Sequence, residues 1–270
     1  MAARGGAGSV TCVEAAGPAH ARLSAECVAC SLAGSERRAV EVLRAEELDR
    51  APPARKRAPP RGADLLLLEP SWVPLQGLWA AHHFAHARSL LRGARRRGLI
   101  AEWARVVPSG ASVFGALVQC GPLHARHQPI TSVLGLRVDS TLMLRDQPPV
   151  LSVPLWACER WSLLSEPQEL AAISLDEPAP SLTRAGRLGA SSGGVAHAVL
   201  LLLEWDLGGP RGPRRPRWSE EPCGLQLLPP GGLAVHGAAA VEVVLHAALD
   251  DAPAWRVQVA PRGAAVGEAG

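Results

Sequence analysis

Two glutamates, three clustered histidines and a close pair of cysteines are the residues of this chain whose types and spacing could do chemistry. Glu69 follows four leucines in the stretch Asp64-Leu65-Leu66-Leu67-Leu68-Glu69-Pro70-Ser71-Trp72. Four consecutive leucines read as a short strand buried on both faces, as in parallel sheets. Open α/β sheets bind ligands beyond the carboxyl ends of such strands, so Glu69 could be a general base or a clamp on a cationic substrate. Holding a guanidinium takes paired carboxylates, because its planar fork offers paired donors. Residues 70–82 contain no acidic side chain, and a capping or structural carboxylate is the competing reading. Glu14 ends a second short strand, Ser9-Val10-Thr11-Cys12-Val13-Glu14. An acid there accepts hydrogen bonds from a ribose in many nucleotide sites. The glycine-rich loop of such sites joins a strand to a helix, whereas Arg4-Gly5-Gly6-Ala7-Gly8 only precedes one. Glu14 is therefore either a ribose contact or a surface residue at a strand end.

His82 and His86 are four apart and share a helix face. Zinc proteases with that spacing need a glutamate after the first histidine, and here His83 follows. With no third ligand evident, no metal site is expected. Cys27 and Cys30 have no second Cys or His pair at finger spacing and read as small buried residues. No Gly-x-Ser-x-Gly elbow, phosphate-cradling loop or Cys/His nucleophile arrangement occurs.

The elements that must position these residues fall into two regions. Residues 9–14 and 39–43 read as strands, with a helix between them over residues 20–32 closed by Gly34. The segment Ala51-Pro52-Pro53-Ala54-Arg55-Lys56-Arg57-Ala58-Pro59-Pro60-Arg61 is a solvated loop or a nuclear address. After the leucine strand, residues 77–91 have helical period and run into Arg92 and Arg95-Arg96-Arg97, cations suited to a helix C-terminus. From residue 109 the chain looks all-β, with short apolar runs between proline and glycine clusters at 112–119, 134–138, 150–156, 170–175, 195–203, 224–228, 239–245 and 255–259. The last two runs read as a closing hairpin. On residues alone the chain is α/β plus β, with residues 1–108 and 109–262 as its two parts and a disordered tail over 263–270.

At 270 residues, 47% hydrophobic and 20% charged, the composition suits a globular protein with a substantial core. A net charge of +3 is too mild for direct nucleic-acid binding. No apolar run approaches the roughly 18 residues of a membrane span. The six cysteines are irregularly spaced, which suits free thiols in a reducing compartment.

The order of features resembles the protein arginine N-methyltransferase family, and more narrowly the second module of tandem members carrying two methyltransferase-like modules. The most specific stretch, Pro154-Leu155-Trp156-Ala157-Cys158-Glu159-Arg160-Trp161-Ser162-Leu163-Leu164-Ser165-Glu166-Pro167, is similar to the family's Pro-Leu-Trp-Glu-Tyr-Pro-Cys…Leu-Ser-Glu-Pro segment. Leu68-Glu69-Pro70 with Trp79, Ala196-His197-Ala198-Val199-Leu200 before Glu204-Trp205, and the hairpin through Trp255 support it. The resemblance implies a truncated Rossmann-like S-adenosylmethionine methyltransferase domain, lacking its first strand and glycine-rich loop, followed by a β-barrel domain. It implies methyl transfer from S-adenosylmethionine to arginine guanidino nitrogens in proteins such as histones, in the cytoplasm and nucleus. Glu14 matches the ribose-binding acid, and Glu69 the first Glu of the double-Glu loop that holds the guanidinium.

Departures from the family are equally specific. The second Glu should fall near Leu78, the barrel's Thr-His-Trp loop near Glu220-Glu221-Pro222 and a Cys-x-x-Cys of relatives at Ile130-Thr131-Ser132-Val133, and this sequence has none of them. Both glutamates are therefore expected to be vestigial, and the chain alone is expected to be inactive and not to bind the cofactor. Its expected partners are an active N-terminal methyltransferase module in cis and arginine-containing protein substrates. The alternative is a non-catalytic interaction scaffold with a methyltransferase-like fold.

Overall fold

The computed structural model describes residues 10–14, 40–44, 63–68, 79–127, 132–133, 136–137, 150–208, 223–250 and 255–259. Chain contacts divide it into two units. One comprises Met1–Leu66, Ser71–Gln76 and Leu90–Ala104, and the other Leu67–Pro70, Gly77–Ser89 and Arg105–Gly270.

The first part of the chain supplies parallel pairs. β1 (Val10–Glu14) lies parallel to β2 (Val40–Arg44), in the register Val10 to Val40 through Glu14 to Arg44. β3 (Ala63–Leu67) pairs with β4 (Ile100–Val107). Ala63 N donates to Leu99 O and Leu68 N to Val107 O, bonds that ascend together along both strands in the parallel sense. Helix α1 (Ala80–Arg96) joins them as a crossover. Ala80, Phe84, Ala87, Leu91 and Ala94 are buried at helical spacing, and Arg95 and Arg96 occupy the last turn where cations suit the helix dipole. The predicted helix over residues 20–32 and the basic proline-rich segment lie outside the described residues.

The expectation that the leucine strand is buried on both faces is wrong. Leu65 is 47% and Leu67 57% exposed. Among the described residues β3 has one hydrogen-bonded neighbour, β4. The strands buried on both faces lie in the β region. β5 (Gly110–Gln119) is buried from Gly110 to Val118, and β13 (Ala198–Asp206) from Ala198 to Leu202.

Chain order in that region continues through α2 (Gly121–Arg126), β6 (Ser132–Val133), β7 (Leu136–Arg137), β8 (Leu151–Val153), β9 (Ser162–Leu163), β10 (Gln168–Ser174), β11 (Ser181–Gly189) and β12 (Gly194–Ala196). After β13 follow β14 (Cys223–Leu227), β15 (Leu233–Val235), β16 (Ala240–Ala248) and β17 (Arg256–Val259). The main sheet runs β10-β5-β13-β14-β8, with β9 also on β5, and a second sheet runs β11-β16-β17. Every strand pairing in both is antiparallel. The predicted closing hairpin is present as β16 and β17, registered Val243 to Val259 through His246 to Arg256. Barrel closure is not seen among the described residues, because the main sheet ends at β10 and at the three-residue β8. β4 and β11 lie where the sequence suggested no strand; β11, with Thr183, Arg184 and Arg187 exposed, lacks a continuous apolar run.

The core follows from the pleat. Phe114, Ala116 and Val118 of β5 share a face with Ala198, Leu200 and Leu202 of β13, and Val153, Leu155, Cys120, Cys223 and Leu225 complete the cluster. On the opposite face of β5, a Cβ at Gly115 would meet Leu170 at 2.7 Å and Leu188 at 3.4 Å, so the absence of a side chain lets β10 and β11 close over it. The family-like stretch at 154–167 is structural here: Leu155 and Leu164 are buried, and Ser165 Oγ accepts the Leu117 amide at 2.8 Å.

Helix α1 meets the β region through aromatic rings. Trp79 and Trp255 pack edge-on with centroids 5.4 Å apart, and Phe84 stacks on Trp205 at 5.9 Å. Trp79 lies over Gly224 of β14, where a Cβ would fall 2.6 Å from the indole and 2.8 Å from Val150. Gly224→Ala should therefore destabilise the protein by about 1–3 kcal/mol in urea unfolding. In a Trp79→Leu background the same change should cost less, whereas equal costs in both backgrounds would mean that the ring contact does not set the requirement for glycine.

Candidate functional site

Of the two predicted site residues the structure describes only the backbone of Glu14. The backbone of Glu14 closes β1 opposite Arg44 of β2. Leu68 follows β3, its amide donating to Val107 O at 2.8 Å, and Glu69 comes next in the chain, outside the described residues with 70–78. Cys27, Cys30, Leu78 and residues 220–222 are also outside them.

S-adenosylmethionine needs a glycine-rich turn leading from a strand into a helix, so that backbone amides can face the bound group. Residues 15–39 and 45–62, which follow β1 and β2 in the chain, lie outside the described residues, as does the side chain of Glu14.

The histidines lie on α1. His82 Nδ1–H donates to Trp79 O at 3.1 Å, turning that ring back along its own helix. His83 is buried. Burial, and secondarily the neighbouring His83, hold the His86 imidazole below its ordinary pKa, which favours the neutral ring. Among the described residues no group of three or more His, Cys, Asp or Glu side chains converges as a metal cage would require.

The dominant polar feature of α1 is Arg88, which the sequence reading did not single out. It is fully buried, yet its Nε donates to Asp250 Oδ1 at 2.8 Å and its Nη2 to Ala179 O at 2.8 Å. A longer approach of Nη1 to Leu175 O, 3.5 Å, adds little. Asp250 remains 42% exposed, so only the guanidinium is fully withdrawn from water. Its position was legible in part, because Arg88 stands four residues after Phe84 and three before Leu91, within the apolar stripe. No sequence signal named its acceptors, two of which are carbonyls in the loop after β10. Chemically the arrangement is spent on structure: the cation is neutralised inside the fold and offers nothing to a ligand.

No protein-family model matches the sequence, and no curated relative does. Solved structures do match. The chain is similar to the Trypanosoma brucei PRMT1 enzyme-prozyme heterotetrameric complex with AdoHcy at 15% identity and a TM-score of 0.61, covering 93% of this chain and 78% of that one. It is also similar to PRMT6, with and without SAH, at 18% identity and a TM-score of 0.57, covering 96% of this chain and 86% of that one. These neighbours are members of the protein arginine N-methyltransferase family, and at such identities the likeness establishes the fold: a Rossmann-like part and a β part.

Removing the guanidinium should expose how much depends on it. Arg88→Ala leaves two loop carbonyls and a carboxylate without their donor and should cost about 3 kcal/mol in urea unfolding. Arg88→Lys should recover little, since an ammonium cannot reproduce the planar fork. Near-complete recovery by lysine would show that charge alone is needed.

Proposed function

We propose that this chain is a protein arginine N-methyltransferase-type module whose own reaction site is degenerate, and that it acts by packing against an active methyltransferase module. Three things support the reading. The fold likeness runs across 93–96% of the chain, so both the Rossmann-like and the β parts are kept. The Trypanosoma brucei neighbour is itself an enzyme-prozyme complex, a precedent for such a pairing. The observation that carries the degenerate half is chemical: Glu69 is followed by thirteen residues, 70–82, without a second carboxylate. A guanidinium held by one carboxylate can rotate about that contact, and the nitrogen to be methylated is then not aimed at the donor.

Glu69 and Glu14 are read here as remnants of the guanidinium clamp and the ribose contact. In the intact protein S-adenosylmethionine would supply the methyl group, held by the active module, and this chain would supply a rigid β surface and α1. The likeness in motif order is to the second module of protein arginine N-methyltransferase 7, with histones and other arginine-rich proteins as substrates of the assembly, in cytoplasm and nucleus.

The test is methyl transfer by the 270-residue chain alone, using labelled S-adenosylmethionine with a histone or an arginine-rich peptide. No incorporation above a protein-free control is expected, and Glu69→Gln should leave that background unchanged. Robust incorporation that Glu69→Gln abolishes would show a working site and overturn the degenerate reading.

A further inference from the structure

A closed set of hydrogen bonds ties α2 to the main sheet through two histidines that the proposed function does not use. His197 stands between β12 and β13. Its amide donates to Val118 O at 2.8 Å and its carbonyl accepts the Leu228 amide at 2.9 Å, so its backbone is fixed between β5 and the end of β14. Its ring Nδ1 accepts the backbone amide of Cys120 at 3.2 Å, at the point where β5 turns into α2. An amide can only donate, so that bond requires Nδ1 without a proton. On α2, buried His124 donates its Nε2–H to Leu228 O at 2.9 Å, while its amide donates to Cys120 O at 2.9 Å. The two rings lie 5.0 Å apart between centroids. A Cβ at Gly121 would lie 3.7 Å from His197 Cε1, an ordinary contact distance, so the ring sits beside the first residue of α2 with room for a methyl group.

We propose that His197 is a pH-operated latch: its neutral ring pins the Cys120 amide and the first turn of α2 to the β5–β13 edge, and its protonation releases them. A proton on Nδ1 sets N–H against N–H, and the bond is lost. Among the described residues the titratable groups beside the ring are His124, facing it from α2, and Cys120 at the end of β5. The Cys120 thiol is pushed up to about 11, chiefly by burial and secondarily by Cys158, and stays protonated. It supplies no anion to welcome an imidazolium. Burial, and secondarily His124, hold His197 below its ordinary value. The sign follows: the unfolded chain takes up a proton near pH 6.5 before the folded chain does. The latch therefore contributes fully above that pH, and its contribution declines as the pH falls through the unfolded value and towards the lower folded one.

Residue-resolved amide hydrogen exchange on the full chain, corrected for intrinsic rates, tests this. Protection at the Cys120 and His124 amides should be steady above pH 7 and fall roughly tenfold at pH 5, the loss of about one hydrogen bond. His197→Asn, whose side-chain oxygen can accept from Cys120 without titrating, should keep the protection at both pH values. Equal protection of the natural protein at pH 7.5 and 5, or the same loss in His197→Asn, would overturn the latch. Ring nitrogen shifts of the natural protein give a check that needs no variant. His197 Nδ1 should be unprotonated at pH 7.5, and a protonated Nδ1 there would contradict the proposal.

Discussion

One cation with no access to water constrains how α1 is held. Withdrawing a guanidinium from solvent costs several kcal/mol unless its donors are met, and Arg88 meets them with Asp250 and Ala179 O at 2.8 Å each. Those acceptors come from the turn after β16 and the loop after β10, which belong to different sheets. A single side chain thus fixes the helix to both. Ring-against-ring contacts join Trp79, Phe84, Trp205 and Trp255 there. They are less directional than the guanidinium fork, which sets the rotation of the helix.

That constraint bears on the functional reading. In an open α/β arrangement the chemistry belongs to the loops beyond the strand ends, and the segment from Glu69 leads into the anchored start of α1. Residues 70–82, between Glu69 and the first turn of α1, supply it with no acidic companion. The fold likeness runs across nearly the whole chain, and a fold by itself does not fix a function.

Much of the β region was legible because β5 and β13 carry long apolar runs between breakers, and the hairpin of β16 and β17 alternates with its face. The same rule failed at Leu65–Leu68. A run of leucines reports that a strand can be covered on both sides, and only the number of neighbouring strands decides whether it is. β13 lies between β5 and β14, whereas β3 has β4 alone among the described residues. β11 escaped notice because its outward residues are polar and its pairing partner, β16, lies some sixty residues on. Of the site, the strand that Glu14 ends was legible, whereas Glu69 lies outside the described residues. Arg88 could not be assigned a role, since its carbonyl acceptors are a product of tertiary folding. His197 was visible only as part of a family-like motif, and its bond to a backbone amide left no trace in residue types.

The central claim is that the chain keeps the methyltransferase fold without a working cofactor and guanidinium site. Isothermal titration of the full chain with S-adenosylhomocysteine tests it most directly, because the product analogue needs no substrate and no partner. The account predicts no saturable heat at micromolar ligand. A one-to-one isotherm in that range would show that the cofactor site is intact and would contradict it.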